Sequence, residues 1–590
     1  MKKYFSLMLT LCFTASMVRA ERIDVAAARK VAESVAQREG AVSGLRSASG
    51  LSLVYAAAPA QSGSALRSGT MEGAADYFVF NFPGGKGFAI VAGDDRVRPV
   101  LGYSDEGSFD PDNLPENLRG WLAYYQDQIT WANDKGIEAT PDIATEWSRY
   151  MSGTALRAAG EAVILETALW DQGEPYNRQT PVISGERAMT GCGATAAAII
   201  MRYHKYPDVV TNGVTSYTYR GVTYPVEYGA YKWDQMPLDY RGGYTEEQAG
   251  QVAALMWNIG ANVKMEYDIA ENGGSVSNGT DIVDALRDVF GYSQSVRYVY
   301  KSDYRWEDWK RMIRSEIDQD RPILYRGEGS SGHLFVLDGY DQEEAFHFNW
   351  GWGGSADGFY LLTSLNPNEN DFSQGMGMIM GIQPAEAGDK PVYALTYLSL
   401  DSPSSSLVGQ TSFSVSAQFK NTGSDTFLGY ANIGVIGESG IITPISTGYS
   451  IELPPTYYYN EAFSYECTLS APLNASDKIL PIYSLDATNW TAMAGSADAP
   501  LYIDQNGVVQ EGDDDPTTAN EEIPITKAVT VWGKDGRLSV HLASPSKIYI
   551  STLDGRLLQA VALPSGDTSL ALSAGRYIIR VGNEVFKIVL

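Results

Sequence analysis

The chain has 590 residues, which is more than one domain normally holds and predicts three or four domains. Hydrophobic residues make up 44% of it and tyrosine occurs 37 times, a composition that is typical of globular proteins and excludes a disordered chain. The net charge of −27 is not offset by any basic run, which argues against a nucleic-acid partner and against an anionic membrane.

Residues 1–20 are typical of a secretory signal peptide. Two lysines precede an apolar run, and the small residue Ala20 marks the expected cleavage point. Cys12 would be an alternative lipid-anchor site, but "LTLC" lacks the small residue expected just before such a cysteine. Because no later apolar run is long enough to span a membrane, we expect an exported, soluble mature protein. Retention at the cell surface stays open.

Residues 21–160 predict an α+β unit. "RIDVAAARKVAESVAQ" has the periodicity of an amphipathic helix, and "DYFVFNF" and "GFAIVAGD" read as strands joined by the turn "PGGK". "NLPENLRGWLAYYQDQITWAND" returns to helical periodicity. The segment contains neither cysteine nor histidine, so we expect no chemistry of its own.

The rest of the chain divides into four segments. Residues 161–387 mix helices with aromatic-rich strands and hold Cys192 and three of the four histidines. Short alternating strands in 391–505 predict an immunoglobulin-like β-sandwich. An acidic linker follows at 506–522, and 523–590 again shows only short strands.

Cys192 has the setting of a nucleophile. "TGCGATAAAIIMRYH" predicts a buried helix with Thr190 or Gly191 near its N-cap, so that Cys192 lies in the first turn. Free N–H groups and the helix dipole favour an anion there, and thiolate is the reactive form of cysteine. The Cys192 N–H could also donate to an oxyanion, and the flanking glycines would let a substrate approach. The alternative is a buried cysteine on a core helix.

A nucleophilic cysteine needs a base, and the histidines offer few. His204 lies about 18 Å further along the same helix and is expected to close it. His541 belongs to the terminal β segment. The other two, His333 and His347, lie in "GHLFVLDGYDQEEAFHFNWGWGG", which predicts a β-hairpin. We prefer His333 as the base, with His347 as the alternative.

The same hairpin offers a residue to orient His333. With a turn centred near Asp341 and Gln342, His333 lies across from Trp350, and a slip of one residue brings Asn349 opposite instead. Upstream, "LWDQGEPYN" places the amide of Gln172 where it could donate to an oxyanion.

These motifs together resemble the streptopain family of papain-like cysteine proteases over about 165–387. The pieces are "WDQGEPYN", "TGCGAT", "GHLFVLDGYD" and "HFNWGWGGSADGFYLL", in that order. The separation of Cys192 from His333 also lies in the range of papain-like enzymes. The resemblance implies Cys192 as nucleophile, His333 as general base and acid, and Gln172 as oxyanion donor.

Other features of the site follow from the same resemblance. Family members place a tryptophan near the catalytic histidine where other papain-like enzymes use asparagine, so Asn349 and Trp350 both stay open as the orienting residue. Ser275 and Gly332 are expected to bind substrate backbone. Gly193 is a departure, because relatives usually carry valine there, and it should loosen the first turn slightly.

The resemblance also implies a fold class: α+β, with a papain-like cysteine protease domain, an N-terminal α+β inhibitory propeptide and C-terminal all-β domains. Residues 21–160 resemble the family's inhibitory propeptide, with cleavage expected within 150–163. The alternative is a constitutive N-terminal domain. Residues 523–590 resemble the C-terminal sorting domains of the type IX export route in Bacteroidetes-type bacteria, and the alternative is an accessory β-domain.

We therefore predict a secreted cysteine endopeptidase made as a zymogen. Its partners would be protein or peptide substrates and its own propeptide, with no nucleic acid and no membrane span. No cofactor is expected, because "NWGWGG" lacks the context of a phosphate-binding loop and no residue set has zinc spacing. The alternatives are a surface adhesin acting through the C-terminal β-domains and a cell-wall amidase using the same cysteine.

Overall fold

The computed structural model describes most of the chain from residue 22 onward. The described ranges are 22–40, 50–59, 75–152, 162–327, 333–365, 375–402, 406–437, 439–496, 499–510, 529–534, 537–542, 546–552, 557–563, 566–572, 576–581 and 584–589. The predicted signal peptide lies outside these ranges, as do Gly332 and most of the predicted cleavage segment and acidic linker.

The N-terminal domain packs three helices on a four-stranded meander. Its elements are α1 (Val25–Arg38), β1 (Ser52–Ala56), β2 (Tyr77–Asn81), β3 (Phe88–Ala92), β4 (Val100–Ser104), α2 (Glu116–Lys135) and α3 (Pro141–Met151). The Asp24 side chain caps α1 by accepting from the Ala27 N–H at 2.7 Å, and Gly136 ends α2 in the left-handed conformation. Strands β3 and β4 are buried along their whole length, so both of their faces must be covered.

The central domain holds the remaining helices and the other half of the same sheet. Its helices are α4 (Cys192–His204), α5 (Glu246–Asn262), α6 (Gly279–Asp284, continued by a π-helical turn Ala285–Val289) and α7 (Trp306–Ile317). Its strands are β5 (Val163–Ile164), β6 (Val182–Ile183), β7 (Glu186–Arg187), β8 (Ser216–Tyr219), β9 (Val222–Pro225), β10 (Arg297–Tyr300), β11 (Ile323–Gly327), β12 (His333–Tyr340), β13 (Ala345–Asn349), β14 (Gly358–Leu361) and β15 (Gly377–Met380).

One continuous sheet joins the two domains. The strand order is β1-β2-β3-β4-β14-β13-β12-β11-β15-β10, with β5 paired to β12. The seam is the antiparallel pair β4–β14, in which Tyr360 faces Gly102. A Cβ at Gly102 would lie 2.7 Å from the Tyr360 ring, so only glycine allows this approach. One hydrophobic core therefore includes residues of both domains.

A β-sandwich follows the central domain. One sheet contains β16 (Leu395–Asp401), β17 (Ser412–Asn421), β21 (Phe463–Thr468) and β24 (Ala494–Gly495). The other contains β18 (Phe427–Ile436), β19 (Ile442–Pro444), β20 (Tyr449–Leu453), β22 (Lys478–Ser484), β23 (Thr491–Ala492), β25 (Tyr502–Ile503) and β26 (Val509–Gln510). The buried positions of β17 alternate strictly, as expected for a strand with one face on the core.

The sandwich docks at the edge of the large sheet opposite to the N-terminal domain. Lys420 forms an ion pair with Asp303 at 2.7 Å and lies 4.7 Å from the centre of the Tyr300 ring on β10. The Arg287 guanidinium also donates to the Ser424 carbonyl at 2.6 Å. The sandwich therefore contacts the central domain without using the seam with the N-terminal domain.

The C-terminal segment is again all-β in its described residues. Two small sheets contain β27 (Val529–Lys534), β28 (Arg537–Leu542), β29 (Ser546–Thr552), β30 (Leu557–Leu563), β31 (Gly566–Ala571), β32 (Arg576–Val581) and β33 (Glu584–Val589). They enclose a small core that includes Leu538, Val540, Ile548 and Ile579. The mixed α and β architecture with an all-β C-terminal region agrees with the predicted fold class. Within the described ranges, no helix combines the length and the apolarity needed to cross a membrane.

Candidate active site

Cys192 is the first residue of α4, as the glycine-flanked motif predicts. Gly191 is the N-cap residue with φ of 90°, a conformation that side chains strain, and a Cβ there would lie 2.7 Å from the sulfur of Met265. The Cys192 thiol is free and half-buried. The helix also ends at His204, as predicted, so that histidine is one helix length away from the thiol.

His333 begins β12, and the fold brings this strand to the start of α4. The Leu334 N–H, which follows His333, lowers the pKa of the Cys192 thiol. A Cβ on Gly193 would lie 3.1 Å from the Leu334 side chain. The start of α4 therefore packs against the start of β12, the strand that begins with His333.

The protonation of this pair is set by burial. Burial raises the pKa of the Cys192 thiol, and the N–H groups of Leu334, Gly193 and Cys192 itself oppose that increase. Burial lowers the pKa of His333. Glu116, the first residue of α2, raises the pKa of both groups through its charge. Burial therefore favours the protonated thiol and the uncharged imidazole.

The predicted register of the hairpin is wrong. Asn349 pairs with Val336, and His333 pairs with Gly327 on the opposite neighbour, β11. The reason is the turn, in which the Asp341 N–H donates to the Ala345 carbonyl, so that it is centred on Glu343 and not between Asp341 and Gln342. The β-bulge between Leu337 and Gly339 then shifts the pairing by one residue in the opposite direction. Neither Asn349 nor Trp350 is therefore the cross-strand partner of His333.

Asn349 is buried at the end of β13. Its amide nitrogen donates to the Thr167 hydroxyl at 3.0 Å and to the Ala168 carbonyl at 2.9 Å, and its oxygen accepts from the Gly351 N–H at 3.1 Å. Trp350 is buried as well, and its ring N–H donates to the Ala356 carbonyl at 3.0 Å. Both side chains are held within the loop structure around the hairpin.

Gln172 lies next to the cysteine segment. Its carbonyl accepts from the Thr190 N–H at 3.1 Å, two residues before Cys192. The Gly353 N–H donates to the Trp170 carbonyl at 2.9 Å, which ties the same segment to the glycine-rich loop after the hairpin. The structure therefore ties the segment of Gln172 to the segment that precedes Cys192.

Ser275 serves its own loop. Its hydroxyl donates to the Met189 carbonyl at 2.7 Å and accepts from the Asp268 N–H at 3.0 Å, and the residue is buried. A substrate contact from Ser275 would have to come from its backbone. The other predicted substrate-binding residue, Gly332, lies outside the described residues.

His347, the alternative base, contacts an acidic partner instead. Its Nδ1 lies 2.6 Å from Oδ1 of Asp338, a buried residue of β12. Asp338 was not predicted as a site residue, although an aspartate in the apolar strand "HLFVLDGY" is a signal that could have found it. Thr167, which donates to Asp338, was not predicted either, because nothing local marks a threonine as part of a site.

The N-terminal domain reaches the site through the start of α2. The Asn117 amide donates to the Trp350 carbonyl at 2.6 Å. Trp121 is buried edge-on against Phe348 at 5.2 Å and against Phe335 at 5.9 Å between ring centres. These contacts are invisible in either segment of the sequence alone. Among the described residues, no group of three or more His, Cys, Asp or Glu side chains has the arrangement of a metal site.

Gly193 is enclosed rather than loose. A Cβ there would lie 2.6 Å from the Ser277 hydroxyl and 2.9 Å from the Ile282 side chain, whereas a Cβ on Gly250 in α5 meets nothing within 4 Å. We expect Gly193→Ala to destabilise the chain by about 1–3 kcal/mol through overpacking. Gly250→Ala should stabilise it by about 0.5–1 kcal/mol. Thermal unfolding of the two variants beside the wild type measures both, and equal shifts would contradict the enclosed position of Gly193.

Family models match three parts of the chain. The peptidase C10 family matches residues 170–360, the Spi protease inhibitor matches 20–129, and a domain of unknown function, DUF6383, matches 517–590. The first two matches cover the central and N-terminal domains that share the sheet.

Similar proteins cover the same half of the chain. Streptopain of Streptococcus pyogenes is 35% identical over 337 residues, which are 53% of this chain and 80% of streptopain. The thiol protease/hemagglutinin PrtT of Porphyromonas gingivalis is 36% identical over 329 residues, but the match spans only 37% of that protein. A solved fragment of prointerpain A from Prevotella intermedia is 30% identical with a TM-score of 0.44, covering 53% of this chain and 96% of the fragment.

A peptidase domain joined to a protease-inhibitor domain, with a free thiol at the start of a helix, defines a thiol protease of the zymogen type. Within that class the chain belongs to the peptidase C10 family. The predictions of family, fold class and cysteine endopeptidase with an inhibitor propeptide are thereby confirmed.

Proposed function

We propose that Cys192, His333 and Gln172 carry out peptide-bond hydrolysis. The observation that carries this assignment is the position of Cys192 at the N-terminus of a helix, where the Leu334 N–H, directly beside His333 in the chain, acts on the pKa of its thiol. The Thr190–Gln172 backbone bond supports Gln172 as the third member, because it holds that residue close to the thiol.

Each residue has a defined step. The His333 imidazole first takes the proton of the Cys192 thiol. The Cys192 sulfur then forms a bond to the carbonyl carbon of the scissile peptide, and the resulting oxyanion accepts hydrogen bonds from the Gln172 amide and the Cys192 N–H. His333 then gives its proton to the amine nitrogen as the C–N bond breaks. Next it takes a proton from water, which attacks the thioester and releases the acid and the thiolate.

The N-terminal domain acts in this proposal as an intramolecular inhibitor. It adds β4 to the sheet beside β14 and inserts Trp121 into the aromatic core next to the hairpin. The charge of Glu116, at the start of α2, also favours the protonated form of the Cys192 thiol, because it raises the pKa of that thiol. Cutting within residues 150–163 would release it.

Thiol chemistry tests the assignment directly. Purified residues 21–590 should lose the N-terminal domain and cleave casein under reducing conditions, and iodoacetamide should stop both. Peptide mapping should find the label at Cys192 and not at Cys467, which is fully buried and whose thiol pKa burial raises to about 12. Casein cleavage that continues after complete labelling of Cys192 would contradict the proposal.

The reactivity of Cys192 should change when the chain is processed. Because the thiol pKa is raised and thiolate is the reactive form, the unprocessed chain should react with iodoacetamide at pH 7 about tenfold more slowly than the processed one. The rate should rise steeply with pH in the unprocessed chain. Glu116→Gln should reduce the difference between the alkylation rates of the unprocessed and processed chains, because it removes a charge that raises the thiol pKa. Equal rates before and after processing would show that the N-terminal domain does not control the thiol.

The remaining parts of the chain have roles that the protease domain does not require. We propose export through residues 1–20 and a sorting role for the C-terminal segment 523–590, in which surface retention would follow from sorting. Export of a fusion that carries residues 523–590 tests that role, and an accessory β-domain would leave export unchanged.

Release of peptides from casein but not from peptidoglycan separates the endopeptidase from a cell-wall amidase.

A further inference from the structure

A chain of buried hydrogen bonds joins His347 to Asn349. His347 Nδ1 lies 2.6 Å from Oδ1 of Asp338. The Thr167 hydroxyl donates to Oδ2 of Asp338 at 2.5 Å, and the Asn349 amide donates to the Thr167 oxygen at 3.0 Å. Asp338, Thr167 and Asn349 are all at most 8% exposed. This series of hydrogen bonds therefore runs through the interior of the central domain.

The backbone around Asp338 leaves space for these hydrogen bonds. Asp338 occupies the β-bulge of β12, where one strand carries an extra residue. At Gly339 a Cβ would lie 2.5 Å from the Val163 carbonyl and 3.1 Å from the Cβ of His347, so a side chain there would push β5 and His347 away. A carboxylate buried at this depth is costly unless it is hydrogen-bonded and paired. Here both of its oxygens have partners.

These hydrogen bonds connect the segments that carry the candidate catalytic groups. Thr167 and Ala168, which hold the Asn349 amide, lead directly into the segment of Gln172. Asp338 belongs to β12, the strand that starts with His333. Asn349 ends β13 and leads into Trp350. A change at His347 is therefore expected to affect both the segment of Gln172 and the β12–β13 hairpin.

We propose that His347 is a positioning residue: through Asp338 and Thr167 it fixes Asn349 and the segment of Gln172, and loss of its proton loosens this arrangement. The proposal rests on the proposed function of the site. His347 itself makes no contact with the reacting atoms in this scheme.

Charged groups from every neighbouring element act on His347. Burial alone would lower its pKa, but the charge and hydrogen bond of Asp338 raise it above the ordinary value, with smaller contributions from Asp357 before β14 and Asp105 of the N-terminal domain. Burial raises the pKa of Asp357 to about 7, and Arg241 acts against that increase. The departure of the N-terminal domain removes the contribution of Asp105.

The direction of the pH effect follows from the raised pKa of His347. The charged imidazolium is the form that the folded site stabilises, so its contribution is complete below the ordinary histidine pKa. It is lost as the pH rises through the raised value. We therefore expect part of the alkaline decline in activity to come from His347.

The test compares His347→Gln with the wild type after removal of the N-terminal domain. Glutamine can still donate to Asp338 but cannot change its charge. We expect kcat on labelled casein to fall about tenfold at pH 7 with KM within about twofold. The His347-dependent part of the alkaline decline should disappear. The matched control is His204→Gln. His204 is also in the central domain, but it lies at the end of α4 and takes no part in these hydrogen bonds, and burial lowers its pKa to about 4.

Thr167→Val provides a second, nearly isosteric variant that breaks the middle link without changing a charge. It should lower kcat in the same way and remove the same part of the decline. Unchanged pH profiles in both variants, or the same change in His204→Gln, would overturn the proposal. The alkylation rate of Cys192 is measured in parallel. If the wild type is alkylated but leaves casein intact, the endopeptidase assignment falls, and the alkylation profiles alone then decide on His347.

Discussion

Cys192→Ala is expected to give a folded chain that keeps its N-terminal domain and leaves casein intact. The sulfur is the only protein atom in the proposed mechanism that forms a bond to a substrate carbon, so its loss should reduce kcat/KM by on the order of 10⁴-fold or more. Self-processing should stop for the same reason. Intact mass and casein cleavage, followed over time beside the wild type, measure both effects.

The second described cysteine is the matched control for this variant. Cys467 lies on β21 in the core of the sandwich with 0% exposure. Cys467→Ala should process and cleave like the wild type. If Cys192→Ala cleaved casein at the wild-type rate, another nucleophile would have to be sought. If the wild type cleaved nothing even after an added protease had cut between the domains, the β-domains would become the place to look for function.

Trp121→Ala is expected to weaken the hold of the N-terminal domain on the enzyme. Trp121 is 1% exposed and packs on Phe335, Phe348 and Trp350. A Cβ on Gly327 would lie 2.9 Å from the indole ring, so the central domain leaves space for this side chain. Truncating a buried tryptophan costs about 3–5 kcal/mol. A loss of about 3 kcal/mol corresponds to roughly a 150-fold weaker association of the two domains.

The measurement is the rate of Cys192 alkylation in the uncut chain. Trp121→Ala should react much faster than the wild type, because the N-terminal domain would spend more time away from the thiol. The control is Trp131→Ala, a half-buried tryptophan further along the same helix. If Trp131→Ala raised the rate of Cys192 alkylation as much as Trp121→Ala does, this would indicate general destabilisation of α2. No change in Trp121→Ala would mean that the β4–β14 seam alone maintains latency.

The two domains that contact the central domain use opposite edges of one sheet. β4 covers β14, whereas Lys420 of the sandwich reaches Asp303, just beyond β10. Loss of the N-terminal domain therefore leaves the contacts of the sandwich in place. We expect the sandwich to stay attached to the processed enzyme as part of its folded body.

Much of the candidate site was readable from the sequence because its signals are local. A cysteine between glycines, followed by an alanine-rich run, predicts a thiol at a helix start, and α4 begins at Cys192. The hairpin with His333 was also predicted from alternation and turn residues. The cross-strand neighbour of His333 was not found in this way, because the turn is centred on Glu343 and its position sets the register of the whole hairpin.

By itself the sequence determined the nature and order of the parts: an α+β unit, a domain with one helix-terminal thiol, and β-rich segments after it. Only the tertiary structure decided that β4 joins β14, that Trp121 enters the core of its neighbour and that Thr167 links Asp338 to Asn349. The physical reason is range. Helix starts and turns depend on neighbours a few residues away, whereas these contacts join residues far apart in the chain, whose meeting depends on how whole elements pack.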